Sequence, residues 1–85
     1  MIKSNKSAHV IFLSFYNAGY RTIFKIGSKA IKITVRLNNN KSLVIVCNRS
    51  GWIKVYHFTD GNHTEPNTFR GSDLFLDQYK WCFWT

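Results

Sequence analysis

The sequence predicts a mainly β domain, built as a small five-stranded antiparallel meander that curls towards an SH3-like or OB-type barrel. Three observations predict this fold. Apolar and polar residues alternate with a period of two through much of the chain. Short Gly- or Asn-containing segments separate the alternating runs, as in hairpins. The seven Phe, four Tyr and three Trp residues among 85 can fill the core of a single small domain.

The N-terminal part of the chain is interpreted in two pieces. Residues 1–8 are expected to form a flexible basic arm, and residues 9–85 a single β domain. Residues 9–16 contain a run of branched and aromatic side chains, which predicts the first strand. The run is too short to span a membrane, and polar residues interrupt it, so we expect no membrane association.

Four further strands are predicted at 20–26, 29–37, 42–48 and 52–58. Tight turns at Gly27-Ser28 and Asn39-Asn40, and a turn at 49–51, would connect them. The turn lengths predict that Phe24 is opposite Ile31, Val35 opposite Val44, and Cys47 opposite Trp52. This register decides which side chains share a face. One face of the predicted sheet is an apolar core made of Tyr20, Phe24, Ile31, Ile33, Val35, Val44, Val46, Ile53 and Val55.

The opposite face of the predicted sheet is mixed, with five cations, two aromatic rings and an apolar middle. Its members are Arg21, Ile23, Lys25, Lys32, Thr34, Arg36, Leu43, Ile45, Cys47, Trp52, Lys54 and Tyr56. An apolar middle indicates that the sheet curls or is partly covered.

Residues 60–85 form an acidic and aromatic C-terminal segment. Ser72 or Asp73 could cap a short helix. Its apolar face would hold Phe75, Leu76, Tyr79, Cys82 and Phe83. The same segment also alternates as a strand from residue 79 to residue 84. The sequence therefore predicts a short C-terminal helix or a sixth strand.

The charges are distributed unevenly along the chain. The first fifty-nine residues contain ten Lys or Arg and no Asp or Glu, whereas all four acidic residues lie from Asp60 onwards. Like charges in one block repel each other, and such blocks usually meet an anionic partner. An alternative is that the acidic C-terminal segment folds over the mixed face and neutralises its charges.

The mixed face is the candidate binding site, and its partner class is nucleic acid, with single-stranded RNA or DNA preferred. Cations hold phosphates, and aromatic rings stack on bases. The predicted site residues are Arg21, Lys25, Lys32, Arg36, Lys41, Arg49, Trp52, Lys54 and Tyr56. A competing interpretation buries Trp52 and Tyr56 beneath the C-terminal segment.

No catalytic set is predicted, because the carboxylates lie in one tail without a paired acid or base. His57, Asp60 and His63 are three residues apart around a Gly-containing turn, a spacing that does not match a metal motif. We therefore expect a non-enzymatic protein that uses no cofactor and no metal. Cys47 and Cys82 lie in apolar runs, which predicts reduced thiols and a cytoplasmic setting.

A second function class stays open. The chain is also of the size and composition expected for a small inhibitor of the phage or mobile-element type. It would dock on a host protein or nucleoprotein complex, for example a CRISPR effector or a polymerase. An acidic surface of the host complex would then be the partner, with Trp52, Trp81 or Trp84 as hot spots.

Overall fold

A computed structural model describes residues 3–83, with the side chains described from residue 6 onwards. The chain begins with helix α1 (Lys3–Asn17). Four main strands follow: β1 (Arg21–Ile26), β2 (Ala30–Arg36), β3 (Lys41–Asn48) and β4 (Trp52–Thr59). The remaining elements are β5 (Asn62–His63), β6 (Asn67–Arg70), α2 (Ser72–Gln78) and a short 3₁₀ helix (Lys80–Cys82).

The strands form an antiparallel sheet in meander order. Strands β1 to β5 are neighbours in sequence order, and β6 pairs with β4 alongside β5. The prediction of a mainly β antiparallel meander is confirmed. Within residues 3–83 the first strand does not pair with the last ones, so the sheet is open rather than closed into a barrel.

The strand predicted at 9–16 is wrong, because this segment belongs to helix α1. Ala8, Ile11 and Phe15 are fully buried, and their spacing places them on one face of a helix. The sheet presents an apolar face that needs a cover, and this packing overrides the β-propensity of the apolar run. Residues 3–8 of the segment predicted as an arm also lie in this helix, and residues 1 and 2 lie outside the described part.

The core lies between the helices and one face of the sheet. Ile33, Ile45 and Val55 are opposite one another on neighbouring strands and are fully buried. Phe15 of α1 joins the helices to each other, since its ring centroid is 6.1 Å from that of Phe75 and 4.9 Å from that of Phe83. Both helices therefore cover the same side of the sheet.

The two faces of strand β3 are exchanged relative to the prediction. Leu43, rather than Val44, is opposite Val35. The side-chain Oδ1 of Asn38 accepts hydrogen bonds from the backbone N–H groups of Asn40 and Lys41. This local turn makes the loop one residue longer than a two-residue hairpin. As a result Leu43, Ile45 and Cys47 are buried in the core, and Val44 and Val46 point outwards.

The other two hairpins preserve the predicted faces. Cys47 is opposite Ile53 instead of Trp52, a one-residue shift that cancels the shift before it. Phe24 is opposite Ile33 instead of Ile31, and a shift of two residues leaves each side chain on its face. Trp52 and the cations of β1 and β2 consequently share one face, as predicted.

The C-terminal segment contains both a helix and a strand. Helix α2 buries Phe75, and Tyr79 and Cys82 follow it into the core. The residue before the helix is Gly71 at φ 103°, and no side chain caps the first turn, so the predicted cap at Ser72 or Asp73 is wrong. The strand predicted over 79–84 is replaced by the 3₁₀ helix, while residue 84 lies outside the described part. Neither helix within residues 3–83 is long and apolar enough to cross a bilayer.

Candidate functional site

The sheet face opposite the helices carries basic side chains on every long strand except β3. We call this surface the basic face. Its members are Arg21, Ile23, Lys25, Lys32, Thr34, Arg36, Ser42, Val44, Val46, Trp52, Lys54, Tyr56, Phe58, Thr68 and Arg70. Its cations are all exposed, and the outward valines of β3 form a half-buried apolar centre.

The cations of β1 and β2 form two pairs of like charge. Arg21 is directly opposite Arg36, and Lys25 is directly opposite Lys32. Ile23 and Thr34 separate the two pairs. Like charges directly opposite on neighbouring strands destabilise a sheet. The free protein therefore carries an electrostatic strain on this face that a bound anion would relieve.

Residues 72–83 of the C-terminal segment do not cover the basic face. Helix α2 packs against α1 and β6 on the other side of the sheet. The salt bridge of this segment joins Asp77 Oδ1 to Lys80 Nζ at 3.9 Å, and both side chains are largely exposed. Among residues 6–83, no carboxylate lies within salt-bridge distance of a basic-face cation. The alternative in which the acidic tail covers this face is therefore wrong for residues 72–83.

The two predicted rings lie on the basic face but differ in exposure. Trp52 is 39% exposed, and the guanidinium of Arg70 lies 5.2 Å from its ring centroid, which is a cation–π contact. Tyr56 is half-buried, with its ring edge-on to that of His63 at 5.9 Å. Neither ring is buried beneath α2. The competing interpretation is therefore wrong for Trp52 and holds only in part for Tyr56, whose ring contacts His63 of the C-terminal segment.

The sequence pattern does not predict Arg70 as a member of the basic face, because it predicts no strand within residues 60–73. Strand β6 pairs with β4 and places Arg70 directly opposite Trp52. A weak signal was present: Phe69 is apolar between the polar residues Thr68 and Arg70. The turn residues around this short strand, including Pro66 and Gly71, hid that alternation.

Lys41 and Arg49 lie at opposite ends of the sheet. Lys41 begins β3, and Arg49 is exposed in the turn that follows this strand. Eight residue steps along a strand separate them by about 26 Å. The two loop cations predicted for the site are therefore not brought together, and each can reach only its own end of the basic face.

A groove of about 470 Å³ lies at the Lys41 end of the basic face. Arg21, Arg36 and Phe58 contribute to it from the sheet. The loop residues 38–41 and the turn at Asp60 and Gly61 complete it. It is a concave feature on a face that is otherwise made of outward side chains from a sheet.

The histidines considered for a metal site lie on different sides of the sheet. His57 faces the core side, opposite Leu43, whereas His63 packs against Phe58 and Tyr56 on the basic face. Residues described by the structure contain no group of three His, Cys, Asp or Glu side chains that could hold a metal ion.

A partly buried polar cluster holds the C-terminal segment on the core side. The Nε2 atom of His57 and the hydroxyl of Tyr79 are hydrogen-bonded at 2.5 Å, and Asn67 Nδ2 donates to the same hydroxyl at 3.3 Å. The pKa of Tyr79 is raised overall. Burial has the largest effect and raises it, the hydrogen bond from Asn67 lowers it, and the charge of Cys82 raises it. This cluster ties β4, β6 and the end of α2 together, away from the basic face.

The basic face thus offers exposed cations on four strands and an exposed indole. Groups of these kinds hold anions and stack on planar ligands. Comparisons of the chain with protein-family models, with curated proteins and with solved structures find no match.

Proposed function

We propose that this protein is a non-enzymatic module that binds nucleic acid on the basic face, with a preference for single-stranded RNA or DNA. The observation that carries the proposal is the presence of two cross-strand pairs of like charge, Arg21 with Arg36 and Lys25 with Lys32. Each pair disfavours the free protein. A phosphate placed near either pair replaces this repulsion with attraction.

The spacing of the cations suits a polymer better than a single anion. Neighbouring strands are about 4.8 Å apart, and four residues along a strand span about 13 Å. Lys25, Lys32 and Lys54 therefore lie in one row across four strands, in which Val46 of β3 separates Lys32 from Lys54. The Arg21–Arg36 pair lies parallel to this row. A chain of phosphates can follow such rows, whereas a small ligand would contact one pair.

The preference for single strands follows from the rings and from the apolar centre of the face. Trp52 is exposed, and Tyr56 and Val44 are opposite each other between the two basic rows. The rings of unpaired bases are free to stack on such side chains, whereas the bases of a duplex stack on each other. Stacking on a ring contributes about 1–3 kcal/mol per base.

We expect the protein to act in the cytoplasm, because both cysteines are free and buried, and free thiols are the rule in reducing compartments. The alternative, a small inhibitor that docks on a host protein complex, would use the same face against an acidic surface. The experiment must therefore separate nucleic acid from protein as the partner.

The direct test is the binding of labelled single-stranded RNA, single-stranded DNA and duplex, measured by fluorescence anisotropy at about 50 mM and about 200 mM salt. Five phosphate contacts on a single strand predict a log–log slope of about −3.5. The variant Lys54→Gln removes one phosphate contact, so the slope should become less negative by about 0.7. The matched control is Lys6→Gln, which removes one exposed charge from α1 on the other side of the sheet.

The absence of binding at the lower salt concentration would overturn the proposal. A pull-down from lysate treated with nuclease then distinguishes a protein partner from nucleic acid. A stoichiometric protein partner that survives the nuclease, together with no oligonucleotide binding, would favour the inhibitor function instead.

A further inference from the structure

The groove at the Lys41 end of the basic face has a floor and a wall. The floor is formed by outward side chains of the sheet, including Arg21, Arg36 and Phe58. The wall is formed by the loop residues 38–41 and by Asp60 with Gly61. Loop residues and outward side chains of the sheet therefore line one hollow at this end of the basic face. A nucleic-acid strand that follows the basic face towards this end reaches the wall of the groove.

The wall is held by hydrogen bonds within and between its two loops. Oδ1 of Asn38 accepts from the N–H of Asn40 at 3.1 Å and from the N–H of Lys41 at 2.9 Å. The N–H of Asp60 donates to the carbonyl of Asn40 at 2.9 Å, which joins the two loops. The groove is therefore a formed feature of the free protein.

The Arg36 guanidinium is held in this groove by the same loop. Its Nε donates to the carbonyl of Asn38 at 3.4 Å, and its Nη2 donates to the carbonyl of Asn39 at 3.3 Å. A guanidinium has five N–H donors, so three stay free for a ligand. A group that is already oriented loses less side-chain freedom when it binds an anion.

The charges around the groove favour one class of phosphate. Arg21 and Arg36 are directly opposite each other, and Lys41 stands on the rim. A phosphate monoester carries about −1.5 to −2 charge at neutral pH and three terminal oxygens, and therefore suits three cations better than a phosphodiester does. Asp60 lines the same groove and offsets one of the three positive charges, so a net positive charge remains there for the phosphate.

We infer that the groove binds the terminal phosphate monoester of a nucleic-acid strand that lies on the basic face. The half-buried ring of Phe58 lines the same groove and offers an apolar surface to the terminal base. The inference rests on the proposed function, since it assigns an end to the strand that this face would hold. It adds that the protein distinguishes a phosphorylated end from a hydroxyl end.

The test compares one short single strand in three forms, with a 5′-phosphate, with a 3′-phosphate and with hydroxyl groups at both ends. We expect one phosphorylated form to bind about tenfold more tightly than the hydroxyl form, as one charge-assisted bidentate contact would give. The variant Arg36→Lys keeps the charge but loses the planar fork, so it should remove most of this ratio. The matched variant Lys54→Gln lies outside the groove and should weaken all three strands while it keeps the ratio.

Thermal melting of each variant, compared with the wild-type protein, checks that the substitutions leave the fold intact. Equal affinity for the three strand ends would overturn the groove assignment, even though binding of the hydroxyl-ended strand would still support the proposed function. A preference that survives Arg36→Lys would also overturn it. The absence of binding to every strand would reject both proposals together.

Discussion

Lys25 and Lys32 lie directly opposite each other on the neighbouring antiparallel strands β1 and β2. Both ammonium groups are on the exposed face of the sheet, and no described carboxylate pairs with either of them. The pair lowers the stability of the free protein and would attract the anion that we propose binds here. Stability and binding should therefore respond in opposite directions to changes at this pair.

The variant Lys25→Glu tests this opposition. It places opposite charges across the two strands, and we expect the free energy of unfolding to rise by about 0.2–1 kcal/mol at low salt. The affinity for a single-stranded oligonucleotide should fall at the same time. Urea unfolding at low and high salt measures the first effect, which salt should screen. Lys54→Glu makes the same charge change on the same face, but opposite the uncharged Val46 and Thr68. An equal gain from both variants would contradict the role of the cross-strand pair.

The exposed indole of Trp52 should contribute to binding, whereas that of Trp81 should not. Trp81 is 54% exposed but follows α2 on the side of the sheet that carries the helices. Replacement of Trp52 by Ala removes a stacking surface, with an expected loss of about 1–3 kcal/mol of binding free energy. Anisotropy titrations of Trp52→Ala and Trp81→Ala with the same oligonucleotide compare the two. Equal losses would contradict the assignment of binding to the basic face.

The hydroxyl of Tyr79 should be needed to hold α2 against the sheet. The substitution Tyr79→Phe leaves the ring in the core but removes the group that bonds both His57 and Asn67. Because His57 then loses a partner in a partly buried position, we expect a cost of about 1–2 kcal/mol in the free energy of unfolding. Urea denaturation measures this cost. Tyr16→Phe, at a largely exposed position, is the control and should stay within about 0.5 kcal/mol of wild type.

The buried thiols predict a loss of stability in alkaline solution. Burial raises the pKa of Cys47 and that of Cys82 to about 11, from an ordinary value of 9.0. The unfolded chain therefore releases these protons at a lower pH than the folded protein does. Their contribution is complete below pH 9 and declines as the pH rises towards 11.

Urea unfolding at a series of pH values through this range measures the decline. Burial also raises the pKa of Tyr20 and of Tyr79, which adds a loss of the same sign. The variant Cys47→Ala should reduce the slope.

Iodoacetamide at neutral pH should label both thiols in urea but neither in the folded protein. Rapid labelling of the folded protein would contradict their burial.

The faces of β1 and β2 could be predicted because basic residues alternate with mostly apolar residues along each strand. Strand β3 could not be oriented in this way, since its interior residues from Leu43 to Cys47 are all apolar. Its orientation depended on the loop before it, where a single side chain, Asn38, adds a residue to the turn. The opposite shift in the next hairpin then returned Trp52 and Lys54 to the predicted face.

Helix α1 and the sixth cation of the face depended on contacts distant in sequence. The run from Val10 to Leu13 has the composition of a strand, and the helical spacing of Ile11 and Phe15 was decisive only with an apolar sheet face to cover. Arg70 joins the basic face through a pairing between β6 and β4. A four-residue strand enclosed by turn residues gives too short a pattern to reveal that pairing.

The one-sided packing of the helices has a consequence for how this chain can change. Alternate residues of β1, β2 and β4 support the core, and the residues between them meet solvent. Outward positions such as Ile23 and Thr34 can therefore be exchanged without rebuilding the interior. The sheet is in this respect a scaffold. Substitutions of its outward residues could change what the face binds, while the core residues that determine the fold stay the same.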